Sequence, residues 1–261
     1  MIRFCPIASG SSGNCVYIGS EKTHLLIDAG LSGKRIEAAL AQIDVPKLSG
    51  IFITHEHSDH VLGAGILSRR FKLPVYATPK TWRYFLRHGT IGNVAEDLQK
   101  IIEPNEMLTI GDIDILPFDI PHDASQPVGY SLNCGGFKAA VATDIGYVTD
   151  TIRNLLRGVN VLLIESNHDI EMLQNGRYPR MLKERVMGSR GHLSNVATGA
   201  LLAEIASNAC QHVFLGHLSE ENNRPMIALD TVQSILEANE INIKKLMVAD
   251  RHDPSEMVVI G

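Results

Sequence analysis

The apolar run Ile51-Phe52-Ile53 leads straight into Thr54-His55-Glu56-His57-Ser58-Asp59-His60, which sets four metal-ligand side chains within six positions at a strand end. As a continued strand, His55, His57 and Asp59 would share one face and His60 the other. A turn into helix at Ser58 instead brings His60 round to a neighbouring point. That geometry suits two metals, with an imidazole pair for one ion and an Asp-His pair for the other. A polar loop of merely solvated side chains has no need of four such residues in so tight a pattern.

Composition narrows the setting. With 261 residues, 44% of them apolar and 20% charged, the chain has an ordinary globular make-up that excludes disorder as its main state. No window approaches the roughly 18 consecutive apolar residues of a transmembrane helix, and the start lacks a basic stretch followed by a long apolar one. Secretion and membrane insertion are therefore not expected. Cys5, Cys15, Cys134 and Cys210 are widely spaced and form no C-x-x-C pair, which fits a reducing cytoplasm. A net charge of −5 excludes a broad basic surface for polyanions, so any action on nucleic acid must come from a local site.

Short β-branched runs alternate with amphipathic stretches along the whole chain, with no linker, repeat or low-complexity tract. Strands are expected at 2–7, 14–19, 23–28, 50–54, 74–77, 107–119, 128–134, 136–143, 159–165, 212–216 and 245–248. Helices are expected at 32–42, 60–71, 79–88, 148–157, 194–206 and 225–238. In the 79–88 helix Trp82 and Phe85 pack inward, a fuller account of its pattern than a substrate contact through Trp82, Arg83, Tyr84 and Arg87. The 194–206 helix presents Val196, Ala200, Leu201 and Ile205 as its apolar face, capped by Ser194 or Asn195. Strand runs with scattered helices fit an α/β class of two mixed sheets packed face to face with helices outside, and not a strictly alternating parallel sheet.

The H-x-H-x-D-H pattern of His55, His57, Asp59 and His60 resembles the metallo-β-lactamase superfamily, whose αββα sandwich agrees with that class. The resemblance extends to His122 in Pro121-His122-Asp123, to Asp144 in Ala142-Thr143-Asp144-Ile145-Gly146, and to His217 in Leu215-Gly216-His217-Leu218-Ser219. It implies one domain over 1–261 with two divalent ions, zinc or manganese first and iron as the alternative. His55, His57 and His122 would hold the first, Asp59, His60 and His217 the second, and Asp144 would bridge them. Asp28, in Leu25-Leu26-Ile27-Asp28-Ala29-Gly30, would stand behind the metals and orient a ligand or hold the loop.

His57 stands where flavodiiron oxidoreductases carry glutamate, and the 72 residues between Asp144 and His217 are too few for the inserted domain of the RNase J branch. Glu165-Ser166-Asn167-His168-Asp169 and Gly191-His192-Leu193-Ser194-Asn195 resemble the arrangement in RNase Z, although its protruding tRNA-gripping arm is missing. Together with Ser9-Gly10-Ser11-Ser12-Gly13-Asn14-Cys15 and Gly216-His217-Leu218-Ser219-Glu220-Glu221-Asn222-Asn223, they resemble the YycJ (WalJ) family. That resemblance implies a cytoplasmic nuclease of the 5′-to-3′ DNA exonuclease type, acting on DNA rather than RNA through attack of a metal-bridging hydroxide. His192 would protonate the leaving oxygen or stabilise phosphoryl charge, and Asp59 would orient the nucleophile. Asn14, His168, Ser194 and Asn195 are expected to contact substrate, and Glu165 and His168 are also placed behind His192. The rival readings are a small-molecule phosphodiesterase, a thioester hydrolase using the same ligands, and a non-catalytic metal-stabilised regulatory protein.

Overall fold

The computed structural model describes residues 1–206 and 210–261, which fold as two compact units. Unit one comprises Met1–Asp119, Ala124–Phe137 and Asp250–Gly261, and unit two Ile120–Asp123 and Lys138–Ala249. The strands are divided between two mixed sheets of seven strands each, as the class read from sequence requires. No helix among the described residues is long and apolar enough to cross a membrane.

Unit one carries β1 (Ile2–Ala8), β2 (Cys15–Gly19), β3 (His24–Ile27), α1 (Gly33–Gln42), β4 (Gly50–Phe52), α2 (Ser58–Val61), α3 (Ala64–Phe71), β5 (Val75–Ala77) and α4 (Pro79–His88). There follow β6 (Gln99–Ile101), β7 (Leu108–Ile110), β8 (Ile113–Asp119), β9 (Val128–Cys134) and the C-terminal β14 (Val258–Ile260). One sheet runs β14-β1-β2-β3-β4-β5-β6, antiparallel as far as β3 and parallel from β3 to β6. Its inner parallel strands β3 and β4 are buried throughout, whereas the edge strand β6, Gln99–Ile101, is polar and largely exposed. By contrast β8 alternates exposed Asp114 and Asp119 with buried Ile113, Ile115 and Phe118. The core beneath the sheet gathers Ile7, Leu26, Ile51, Ile53, Leu67, Trp82 and Phe85.

Unit two carries β10 (Phe137–Ala142), α5 (Asp150–Leu156), β11 (Val161–Glu165), α6 (Ile170–Asn175), α7 (Arg180–Met187), α8 (Asn195–Ile205), β12 (His212–Gly216), α9 (Pro225–Ala238) and β13 (Lys245–Val248). Its strands β10, β11, β12 and β13 are parallel neighbours in that order. Thr149, Asp169 and Ser194 cap α5, α6 and α8 with their own side chains.

The departures from the sequence reading have local causes. The run 107–119 is two strands, because Gly111 turns the chain at φ +60° beside Thr23. The expected 60–71 helix starts at Ser58 and breaks near Gly63, whose amide donates to Ala29 O. On α8, Leu201 and Ile205 are buried as expected, but Val196 is 47% exposed and Ala200 is exposed as well, and Asn195, Thr198, Gly199 and Leu202 complete the buried face. Thr198 Oγ1 donates to Glu165 O at 2.6 Å and Gly199 lies under Ile235 of α9, so polar anchoring and close packing turn the buried face toward these residues and leave Val196 and Ala200 outside it. Strands β6 and β14 and helices α6 and α7 were not expected, being short or rich in charge.

Candidate functional site

In unit one the register sets Ile27 of β3 opposite Phe52 of β4, so both strands end side by side and their continuations share one edge. Asp28 takes a left-handed conformation there (φ +61°) and turns its carboxylate onto the next loop. Thr54 N and Thr54 Oγ1 each donate to it at 2.8 Å, and His60 Nδ1 lies 2.6 Å from Asp28 Oδ2. Asp28 therefore both holds the loop and orients a histidine, leaving His60 Nε2 with its lone pair free of ring protons. Burial pushes the Asp28 carboxyl upward, opposed by the charge and hydrogen bonds of His60 and by those of Thr54.

Around this anchor, His55 Nε2 faces His57 Nδ1 at 2.9 Å, the ring centroids of His55 and His60 are 4.1 Å apart, and His60 Nε2 is 3.5 Å from Asp59 Oδ2. All four motif residues thus converge within one loop and the first turn of α2. The loop is laced to its neighbours by backbone bonds from Asn14 N to Asp59 O (2.7 Å) and from Ala29 N to His60 O (2.8 Å). Gly30 is required here, since a Cβ would sit 1.7 Å from Asp59 O. Asn14 is 5% exposed, and its amide donates to Gly10 O at 3.1 Å and reaches His60 Nε2 at 3.1 Å. It braces the loop that carries Asp59 and His60.

Unit two places its residues at the carboxyl ends of parallel strands, with Ala142 opposite Ile164 and Glu165 opposite Gly216. Asp144 (φ +60°) and His217 (φ +54°) both sit in left-handed turns just beyond β10 and β12. Glu165, fully buried at the end of β11, is the hub. Its Oε1 lies 2.8 Å from His192 Nδ1 and 2.9 Å from His217 Nδ1, while its Oε2 accepts the backbone N–H of Ile145 (2.7 Å) and of Leu193 (3.1 Å).

Burial alone would raise the Glu165 carboxyl, but the charges and hydrogen bonds of His192 and His217 outweigh it and hold it well below the usual range. Ionised, Glu165 makes Nδ1 the protonated nitrogen of both histidines, so each presents Nε2 on its other side. His122 Nδ1 likewise donates to Gly191 O at 3.2 Å, with Nε2 at 3.6 Å from Asp144 Oδ1. Burial lowers the His122 pKa, against the pull of Asp144. Asp144, Glu165, His192 and His217 each offer a ligand-type atom within 4.8 Å of the others. Glu165 is spent on its hydrogen bonds, and imidazole nitrogens beside a carboxylate such as Asp144 are the chemistry that suits a divalent cation.

Of the remaining expected residues, Ser194 is half-buried and its Oγ accepts Ala197 N. Asn195 is 1% exposed, and its Oδ1 accepts Ser166 Oγ and Asn223 Nδ2 while its own Nδ2 donates to Asn223 Oδ1. His168 is buried, and its carbonyl accepts Asn195 N. Its Nδ1 meets no partner among the described residues, and burial brings its pKa down to about 4 against the pull of Glu165. The hub role of Glu165 and the Asn195–Asn223 pair escaped the sequence reading of ligands. The signal for the first is an acid closing the otherwise apolar strand Val161–Ile164.

Residues 23–218 match the family model of the β-lactamase superfamily domain, a span that contains every ligand-type residue named above. The chain is 39% identical to exodeoxyribonuclease YycJ of Bacillus anthracis over 97% of its own length and 96% of the relative's. Identity to exodeoxyribonuclease WalJ of Streptococcus pneumoniae is 38% over 92% of this chain and 90% of that one. Among solved structures, zinc-bound PqqB of Methylobacterium extorquens matches with a TM-score of 0.71 at 18% identity, covering 98% of this chain and 100% of that one. Human short-form tRNase Z matches with a TM-score of 0.63 at 15% identity, covering 99% and 100%. These two share the fold. The left-handed turns at the strand ends, the histidine and aspartate sets they carry and the near full-length identity agree: the chain belongs to the metallo-β-lactamase superfamily, alongside its YycJ/WalJ relatives.

Proposed function

We propose that the chain is a cytoplasmic dinuclear metallohydrolase that cleaves DNA phosphodiesters from 5′ ends, working as one catalytic domain over 1–261. The observation that carries this reading is 39% identity across 97% of the chain to a protein named an exodeoxyribonuclease. His55, His57 and His122 are assigned to one ion, Asp59, His60 and His217 to the other, and Asp144 to both; zinc and manganese suit such mixed sites. Held by these residues, divalent ions would supply a nucleophile at neutral pH and charge to neutralise the phosphoryl oxygens.

The chain's own residues do the rest. Asp28 and Glu165 fix the ring nitrogens of His60 and His217 that face away from them. His192, tethered by Glu165 and with its side chain 16% exposed, holds a proton for the leaving sugar oxygen. Asp59 orients the attacking group. Ser194, whose hydroxyl accepts Ala197 N and keeps its own proton to donate, contacts a substrate phosphate. Asn14, His168 and Asn195, buried as they are, serve this site as braces for the loops that bear Asp59, His192 and His217.

The test offers the protein, loaded with manganese or zinc, 5′-labelled duplex and single-stranded DNA, a tRNA precursor, a chromogenic phosphodiester and a thioester. Asp144→Ala is the control. DNA cleavage with two ions bound per chain is expected, and turnover of the thioester alone would sink the reading. His192→Ala should keep its metal and lose turnover about 10²–10⁴-fold, as for a positioned general acid.

A further inference from the structure

Residues 61–95 hold six Lys and Arg and no Asp or Glu, so the rest of a chain with 24 basic and 29 acidic side chains is left with 18 against 29. Within that stretch, Arg70 is paired with Glu37 at 2.8 Å and Arg69 donates to Ile91 O and Asn93 O. The surplus is concentrated on α4. Its inner face buries Thr81, Trp82 and Phe85, with Trp82 Nε1 donating to Lys100 O at 2.9 Å. Lys80, Arg83 and Arg87 lie on the outer face at spacings of three and four, all exposed, and none has an ion-pair partner among the described residues.

The strip is anchored beside the metal motif. Glu56, between His55 and His57, accepts Ser125 N (2.7 Å) and Ser125 Oγ (2.6 Å). The next residue, Gln126, accepts Thr78 Oγ1 at its carbonyl (3.0 Å) and Lys80 N at its side chain (3.2 Å). Lys80 therefore marks the motif end of α4, and Arg83 and Arg87 lead away from it over about 10 Å, the rise of seven helical residues. A nucleic-acid strand advances about 3.4 Å per nucleotide, so three cations in that length match about three successive phosphates.

We infer that this face of α4 is a track for the phosphodiester backbone of the nucleic acid beyond the bond being cut. The inference rests on the nuclease reading above. It places polyanion affinity on one helix of an acidic protein.

The test measures binding of a fluorescent duplex of about 20 base pairs at several salt concentrations, in the metal-loaded His192→Ala protein so that no cleavage intervenes. Removing the strip with Lys80→Ala, Arg83→Ala and Arg87→Ala should weaken binding on the order of 10²-fold at 0.1 M salt and flatten the log–log salt slope by about 3. The Arg83→Lys, Arg87→Lys form should keep the slope. Removing three charges elsewhere on unit one, by Lys22→Ala, Lys34→Ala and Lys47→Ala, should leave it unchanged. Equal loss in that control, or an unchanged slope in the strip variant while the unsubstituted protein cleaves the duplex, overturns the inference. If the unsubstituted protein neither binds nor cleaves any duplex, the nuclease reading itself has failed. Should the alanine variant melt early, glutamine at the same three positions keeps most of each stem without the charge and answers the same question.

Discussion

The two units present metal-ligand side chains in opposite ways. In unit one, four of them sit within six consecutive residues, and the orienting groups Thr54 and Asp28 lie at the ends of adjoining strands. In unit two, His122, Asp144 and His217 come from three separate segments and the proton-holding His192 from a fourth, and a single buried carboxylate, Glu165, accepts from two of the histidines and from two backbone amides. The first arrangement is local and offers His60 a second orienting contact, because Thr54 Oγ1 also lies 3.2 Å from His60 Nδ1. The second is centralised: Glu165 stands within 2.9 Å of both histidines, whereas Asp144 Oδ1 is 3.8 Å from His192 Nδ1 and 3.6 Å from His217 Nδ1.

The sharpest way to break that contrast is Glu165→Ala. It leaves four buried donors without their acceptor, each costing roughly 1–3 kcal/mol before relaxation. Turnover should fall at least as far as in His192→Ala, and the thermal midpoint should drop by several degrees. Glu165→Gln, which still offers one oxygen, should recover part of the stability and little of the activity. Wild-type turnover in Glu165→Ala would show that the two histidines are positioned by something else.

The counterpart, Asp28→Ala, should be milder. Losing a carboxylate behind a ligating histidine typically costs 10–100-fold in metal affinity, and here Thr54 partly compensates. Competition with a chelator of known affinity measures it. A larger loss of metal affinity in Asp28→Ala than in Glu165→Ala would reverse the comparison.

This difference also explains what could be read in the sequence. The strands reappear with shifts of one or two residues because buried parallel strands are contiguous apolar runs, and the 54–60 motif is visible because its chemistry is contiguous as well. Asp144 and His217 were recognisable only as acids and histidines closing such runs, through resemblance to a family. Glu165 closes a run too and is expected behind His192, but nothing along the chain says that the same oxygen will also face His217, 52 residues away. Asn195 looked like a polar opening to α8, ready for substrate. Its reciprocal amide pair with Asn223 depends on a loop 28 residues on, which sequence periodicity cannot register.

That pair gives a third, smaller test of centralisation in unit two. Asn223 Nδ2 also donates to Ser166 O (2.9 Å) and Asn167 O (3.1 Å), so one amide joins the loops that follow β11 and β12 to the start of α8. Asn195→Ala and Asn223→Ala should each cost about 1–3 kcal/mol in denaturant unfolding. The double variant should cost less than their sum, with a coupling of about 0.5–3 kcal/mol. Strict additivity would mean that the two amides stabilise their loops independently.

The smallest effect belongs to unit one, far from its ligands. His24 is 6% exposed, with Nδ1 2.8 Å from the Tyr17 hydroxyl, and burial, aided by Arg3 and opposed by Asp112, lowers its pKa from the usual 6.5. The unfolded chain therefore takes up a proton at this residue at a higher pH than the folded one does. Between the two pKa values the unfolded state binds more protons, so stability rises with pH through that window. The contribution is complete above the ordinary histidine pKa and is lost as pH falls below it toward the folded value. The melting temperature should drop between pH 7.5 and pH 5.5, and His24→Gln, which keeps a polar partner for Tyr17 but cannot titrate, should show a smaller drop. Equal drops in the two proteins would remove His24 from the acid response and leave it to the histidines of unit two, where burial likewise lowers the pKa of His122 and His168.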